Sequence, residues 1–154
     1  MIKEKLKAPN FELPSTDNSV FKLSEHLGKN IILFFYPRDN TKGCTLEAND
    51  FSNLNNNIKK NNCIVVGISK DSLESHLKFK KKYKFNLDLL SDTGGKIIEK
   101  YNAWGMKKFL GKEYMGIIRT TVLINTKGKI HKVWSNVRVK DHAEIVVGEL
   151  KNIQ

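Results

Sequence analysis

Two short apolar runs, Ile31 to Phe35 and Ile64 to Ile68, constrain this chain most. Each reads as a strand buried on both faces. Between them lies a helical pattern in which Leu46, Ala48, Phe51, Leu54 and Ile58 line one inner face. Strand, helix and strand in this order make a crossover unit, which joins neighbouring parallel strands. The expected class is therefore α/β, with a mixed central sheet and helices on both faces.

The rest of the chain fits around that unit. Phe11 to Leu13 and Val20 to Leu23 read as an N-terminal β-hairpin across the turn at Pro14. Ser24 to Gly28 marks one helical turn. A helix is expected from about Thr45 to Lys60, with Asn55 to Asn57 mostly outward. After Ile64 to Ile68, a helix starts at Ser72, and Leu73, Leu77 and Tyr83 cover one of its faces. His76 is expected at a solvated or boundary position. Leu87 to Leu90 reads as a strand, and Lys96 to Tyr101 as a helix. Asn102 to Gly116 shows no strong period and reads as a long surface connection with one helical turn, of the kind that often borders active sites. Thr120 to Ile124 and Ile130 to Trp134 flank the turn Asn125 to Gly128. Lys140 to Ile153 closes the chain as a helix with Ile145, Val146 and Leu150 as its seam. Residues 1–154 are expected to form one domain, a size that supports a real core.

The chemistry concentrates in Tyr36 to Phe51, YPRDNTKGCTLEANDF. Cys44 stands where a strand has ended and a helix begins. Unpaired backbone N–H groups at a helix start favour negative charge, so a thiolate placed there is stabilised. Thr41 supplies a hydroxyl able to donate to that sulfur. A thiolate attacking a peroxide also needs a fixed cation for the developing charge. Arginine suits this role, since its charge and rigid fork persist at any working pH. The chain has three: Arg38, Arg119 and Arg138. Arg119 opens the apolar strand Thr120 to Ile124, whereas Arg38 is expected to point outward.

Other chemistries lack their signatures. His26, His76, His131 and His142 have no partner at metal-ligand spacing, so no metal is expected. The DTGG segment lacks a phosphate-loop frame, and there is no GxSxG elbow or CxxC dithiol. No run of about eighteen apolar residues implies a membrane span, and the N-terminus shows no signal-peptide core. Two cysteines suggest a reducing, cytoplasmic setting. The net charge of +11 comes from scattered lysines, with Lys80 to Lys82 the only run of three. It reads as lysine enrichment of solvated faces that can steer anionic partners, with no nucleic-acid function expected.

Taken together, Pro37, Thr41 and Cys44, with Arg119 in the segment Gly116 to Asn125, resemble the active site of the peroxiredoxins, specifically the bacterioferritin-comigratory (BCP) or PrxQ subfamily. The likeness runs over almost the whole chain. It includes Ala8 to Phe11, Val66 to Asp71, Leu90 to Asp92, and Tyr101 with Trp104 and Gly105. It implies a thioredoxin-like fold and a thiol-dependent peroxidase that reduces hydrogen peroxide and organic hydroperoxides. It also implies a thiol reductant, usually thioredoxin, with glutaredoxin or a small thiol as alternatives, and no cofactor. Cys44 would be the peroxidatic cysteine, Arg119 its cation, Thr41 the peroxide-positioning hydroxyl, and Pro37 a shield over the pocket. The contrasting reading of the same thiol is thiol-disulfide transfer or redox sensing without peroxidase turnover.

Two positions depart from the family pattern. Lys42 stands where proline is usual, and Asn49 where many members carry a resolving cysteine. Residues 72–83, the other family location for that cysteine, contain none. Cys63 precedes the second strand of the crossover unit, at the end of the sheet opposite Cys44, so no intramolecular bridge between them is expected. The sequence therefore predicts resolution by an external thiol and leaves an intermolecular Cys44–Cys63 disulfide open; the resemblance implies a monomer.

Overall fold

A computed structural model describes residues 2–153; the first and last residues of the expected 1–154 domain lie outside the described residues. In chain order the elements are β1 (Glu12–Pro14), β2 (Val20–Lys22), a 3-10 turn (Leu23–His26), β3 (Asn30–Phe35), α1 (Lys42–Lys60), β4 (Cys63–Ser69), α2 (Leu73–Tyr83) and β5 (Asp88–Ser91). They continue with α3 (Lys96–Lys100), β6 (Trp104–Phe109), β7 (Lys112–Ile117), β8 (Thr120–Ile124), β9 (Ile130–Trp134) and α4 (His142–Leu150).

The central sheet has five strands in the order β5-β4-β3-β8-β9. Strands β3, β4 and β5 run parallel, which requires the crossovers α1 and α2. Strand β8 enters antiparallel beside β3 and β9 antiparallel beside β8. β1 and β2 form the expected N-terminal hairpin. The fold is a thioredoxin-like α/β sheet.

All six residues of β3 are buried, because both faces of the sheet are covered. Ile31, Leu33 and Phe35 meet Phe11, Leu13 and Phe21 of the hairpin region and Ile98 of α3. Ile32, Phe34 and Tyr36 meet Ala48, Phe51 and Ile58 of α1, Phe79 of α2 and Val146 of α4. Successive strand residues point to opposite faces, so one apolar run serves two cores. No helix among the described residues is long and apolar enough to cross a membrane.

The largest difference from the sequence reading is at residues 102–116. The expected surface connection is the β6–β7 hairpin, with Met106 opposite Met115 and Lys107 opposite Tyr114. Leu110 and Gly111 both have positive φ (51° and 80°), as a two-residue hairpin turn of the primed kind requires. Neither strand of this hairpin buries a regular face, so no alternating pattern marked it.

Helix faces also differ. Helix α1 begins at Lys42 rather than Thr45, and Leu46, expected inside, is 47% exposed. Asn55, expected outward, is buried; its amide donates to the Asn86 carbonyl and side-chain oxygens at 3.1 and 3.2 Å. In α2 the inner face is carried by His76 and Phe79, and Leu77 is exposed. Helix α4 is shorter than expected; Ile145 faces out while Ala143, Val146, Val147 and Leu150 face in. In each case the tertiary partner, not the local apolar count, selected the face.

Gly67 shows how closely β4 is packed. A Cβ there would lie 2.6 Å from the Phe34 ring and 3.0 Å from Leu89. Gly67→Ala is expected to lower stability by about 2 kcal/mol through overpacking, measured as a shift of the urea unfolding midpoint at constant slope.

Candidate active site

Cys44 lies in the first turn of α1, as the sequence predicts, and is 1% exposed. Thr41 is the N-cap residue of α1, with extended backbone. Its hydroxyl does not donate to the Cys44 sulfur as expected. It donates instead to the Arg38 carbonyl at 2.9 Å, which holds the oxygen in one orientation with lone pairs still available. Arg38 itself is exposed.

Arg119 reaches this turn from the neighbouring strand. Its residue immediately precedes β8, and Phe35 pairs with Thr120. The end of β3 and the entry to β8 are therefore adjacent. Nη2 of Arg119 donates to Cys44 Sγ at 3.4 Å, and Nη1 donates to Glu47 Oε1 at 2.7 Å. Glu47 is one helical turn beyond Cys44, hence on the same face of α1. Gly43 makes room for the guanidinium, since a Cβ there would stand 3.2 Å from Nη2. Pro37, Met106, Lys107, Ile118, Arg119 and Val137 contribute to a pocket of about 370 Å³ that opens over the arginine.

The electrostatics follow from burial. Glu47 is 1% exposed, and its second oxygen, Oε2, has no partner among the described residues. Burial pushes its carboxyl up to about 7, against the pull of Arg119. Burial also works against the Arg119 charge, but Glu47 and Cys44 outweigh it and raise the guanidinium pKa. Lys107 is lowered by burial and then by Arg119. His142 accepts or donates a hydrogen bond with the Thr121 hydroxyl at 2.8 Å. Burial, then Arg119, pushes its imidazole down to about 4, so it is neutral at neutral pH.

Cys63 sits far from this site. It pairs with Asn30 at the start of β3 and β4, whereas Cys44 follows the end of β3. The helix between them spans about 24 Å at about 1.5 Å per residue. A disulfide needs Cα atoms within about 7 Å. Both thiols are free, and burial pushes that of Cys63 up to about 12, which keeps it protonated.

Sequence reasoning missed Glu47, the partner of Arg119, and one further group of residues. His76, expected at the boundary, is fully buried. Its Nδ1 lies 2.8 Å from Asp39 Oδ2 and its Nε2 2.9 Å from the Leu90 carbonyl. A carbonyl only accepts, so Nε2 carries a proton. Asp39 also accepts from the Tyr36 and Ser75 hydroxyls, both at 2.7 Å, and its N–H donates to Asp71. These bonds pin the loop that leads from β3 to Cys44. The available signal was positional: His76 precedes Phe79 by one turn and so shares its buried face. Asp39, Asp71 and His76 bring ligand-type atoms within 4.8 Å of one another, but those atoms are engaged in the hydrogen bonds just described.

A strand-to-helix turn holding a buried cysteine against an arginine on a thioredoxin-like sheet defines a thiol-chemistry class of protein. The family model of the AhpC/TSA family matches residues 5–133. A putative peroxiredoxin bcp of Helicobacter pylori strain J99 is 45% identical over 143 residues, covering 93% of this chain and 94% of that protein. Peroxiredoxin Bcp of Bacillus subtilis strain 168 is 43% identical over 147 residues, covering 96% and 94%. A solved structure of the Xanthomonas campestris bacterioferritin comigratory protein, described for its alkyl peroxide reduction activity, superposes with a TM-score of 0.90 at 30% identity, covering 97% of this chain and 98% of that one. The chain belongs to the AhpC/TSA family and, within it, to the Bcp (PrxQ) peroxiredoxins, which are thiol-dependent peroxidases.

Two measurements probe the site. Arg119→Met is expected to slow oxidation of Cys44 by hydrogen peroxide by about a hundredfold or more, read by stopped flow; an unchanged rate would remove Arg119 from the chemistry. For His142, the folded pKa of about 4 lies below the ordinary 6.5. Between those values the unfolded chain binds more protons, so this group's contribution is full above pH 6.5 and is lost as pH falls towards 4. Glu47 titrates in the opposite sense over an overlapping range, so the informative quantity is a difference. The stability of wild type minus that of His142→Gln should grow by about 3 kcal/mol from pH 4 to 6.5, measured by denaturant unfolding at each pH.

Proposed function

We propose that Cys44 is the peroxidatic nucleophile and that Arg119, Thr41 and Pro37 complete its site. The observation that carries this reading is the Arg119 Nη2 to Cys44 Sγ hydrogen bond in the first turn of α1. The thiolate sulfur attacks the terminal peroxide oxygen. The S–O bond forms as the O–O bond breaks, and the alkoxide or hydroxide leaves and takes up a proton as alcohol or water. Sulfur loses two electrons and the peroxide gains them, which gives sulfenic acid at Cys44. Arg119 stabilises the thiolate before attack and the leaving oxygen during it. Thr41, with its hydroxyl hydrogen committed to the Arg38 carbonyl, presents a lone pair that accepts from the peroxide O–H. Pro37 walls the pocket against water. Hydrogen peroxide and organic hydroperoxides are the substrates, in keeping with the alkyl peroxide activity described for the Xanthomonas relative.

The sulfenic acid is resolved by an external thiol. Asn49 occupies the usual resolving position, and Cys63 is buried, protonated and at the far end of the sheet. An incoming thiolate forms a mixed disulfide with Cys44 and releases hydroxide. A second thiol then displaces Cys44 as thiolate. Thioredoxin, glutaredoxin or a small thiol meets this requirement. Two unpaired thiols favour a reducing compartment, the cytoplasm, and a net charge of +11 disfavours pairing of two copies, so the working form is a monomer.

With one equivalent of peroxide, mass spectrometry should find sulfenic acid at Cys44 and no bridge to Cys63. Cys44→Ser should abolish turnover and Cys63→Ser should retain it. A quantitative intramolecular 44–63 disulfide would overturn the external-thiol step, and retained turnover in Cys44→Ser would overturn the nucleophile assignment.

A further inference from the structure

The β6–β7 hairpin is the wall of the pocket on the Lys107 side, yet much of its apolar surface is uncovered. Leu110 is 87% exposed, Phe109 66% and Met115 50%, with Tyr114 also exposed. In the described residues the hairpin pairs only with itself. Apolar side chains at a projecting tip are costly to leave in water, and such a cluster rimmed by polar groups marks an interaction surface. Here the rim is basic. Lys107, Lys108 and Lys112 stand on the hairpin, where its one acid, Glu113, pairs with Lys108 at 3.6 Å; Arg138 and Lys140 lie on the segment that follows β9, with Asp141 as its one acid. Val137 of that segment donates its N–H to the Arg119 carbonyl at 3.0 Å, which places the basic segment beside the same mouth.

We infer that this hairpin is the docking surface for the protein that supplies the resolving thiol, and that this partner is a redoxin with an acidic surface around its reactive cysteine. The inference rests on the external-thiol reading above. Three observations select this occupant. The pocket opens over Arg119, whose Nη2 holds the Cys44 sulfur, and Met106 and Lys107 line it, so a protein thiol entering by this mouth passes the hairpin. The cations around the mouth favour an acidic partner and raise its encounter rate. A second copy of this chain would bring the same excess positive charge, +11, against the same surface. The exposed aromatic, leucine and methionine side chains then give the partner an adaptable apolar contact.

The test compares reductants. The probe is an acidic thioredoxin recycled by its reductase, with dithiothreitol as the small-thiol control. The variants are Phe109→Ser/Leu110→Ser and Lys112→Glu, all at exposed positions away from Cys44. Both variants are expected to lower kcat/KM for thioredoxin by about tenfold or more, mainly through KM. Peroxide turnover with dithiothreitol should be unchanged. The wild-type rate with thioredoxin should fall with salt, and Lys112→Glu should flatten that dependence. Unchanged kcat/KM for thioredoxin in both variants would overturn the docking assignment. So would a parallel loss with dithiothreitol, which would mean a disturbed site. A wild-type dimer on sedimentation that the double variant dissociates would reassign the surface to a second copy. Failure of the underlying reading would look different: wild type would form a 44–63 disulfide, and Cys63→Ser would lose turnover with both reductants.

Discussion

The pairing of Phe35 with Thr120 is the contact on which the site depends. Strand β8 runs antiparallel to β3, so the residue entering β8 lies beside the loop leaving β3. That single register places Arg119 against the first turn of α1. A slip of one residue would send the guanidinium to the opposite face of the sheet. The same topology carries Cys63 away, because parallel β3 and β4 begin together at the other end. One arrangement of strands therefore both brings Arg119 to Cys44 and separates the two thiols.

Burial sets the chemistry of that pair. Glu47 ties down one arm of Arg119 and leaves the other for sulfur. The carboxylate sits in an environment that raises its pKa to about 7, so its charge is only marginally held. That carboxylate leaves its second oxygen unpartnered among the described residues, while its first fixes the orientation of the Arg119 guanidinium. The loop before Cys44 is held in a comparable way. Asp39 accepts from Tyr36 and Ser75 and lies 2.8 Å from His76 Nδ1, and His76 Nε2 bonds the Leu90 carbonyl, which anchors the turn to α2 and to β5. Helix, loop and strand are thus each fixed by a buried polar contact around one sulfur.

Access to the sulfur is a separate matter from its activation. Cys44 is nearly inaccessible in this conformation, and the pocket reaches Arg119 first. A small peroxide suits that geometry. A protein thiol, as proposed above, would need some opening of the first turn of α1. That turn has no side-chain cap hydrogen bond at Thr41, and Lys42 lacks the rigidity a proline would give. The start of α1 is consequently the weaker part of a well-anchored frame.

Local order in the sequence determined the crossover unit, the N-terminal hairpin and the strands Thr120–Ile124 and Ile130–Trp134. Those segments bury regular faces, and a buried face imprints its period on the residues. It also determined that Cys44 opens a helix, since the turn residues before it and the apolar pattern after it bracket the position. Arg119 was legible as a strand-entry cation, but its place beside the sulfur depends on β8 inserting next to β3, which no local pattern states. Tertiary structure alone decided the β6–β7 hairpin, whose strands bury no continuous face and so carry no period. It alone decided that Glu47 and His76 turn inward while Leu46, Leu77 and Ile145 turn out. A polar side chain is buried when a distant partner satisfies it, as Arg119 does for Glu47 and as Asp39 and Leu90 do for His76. Those partners lie 14 to 72 residues away in the chain, beyond the reach of any helical period.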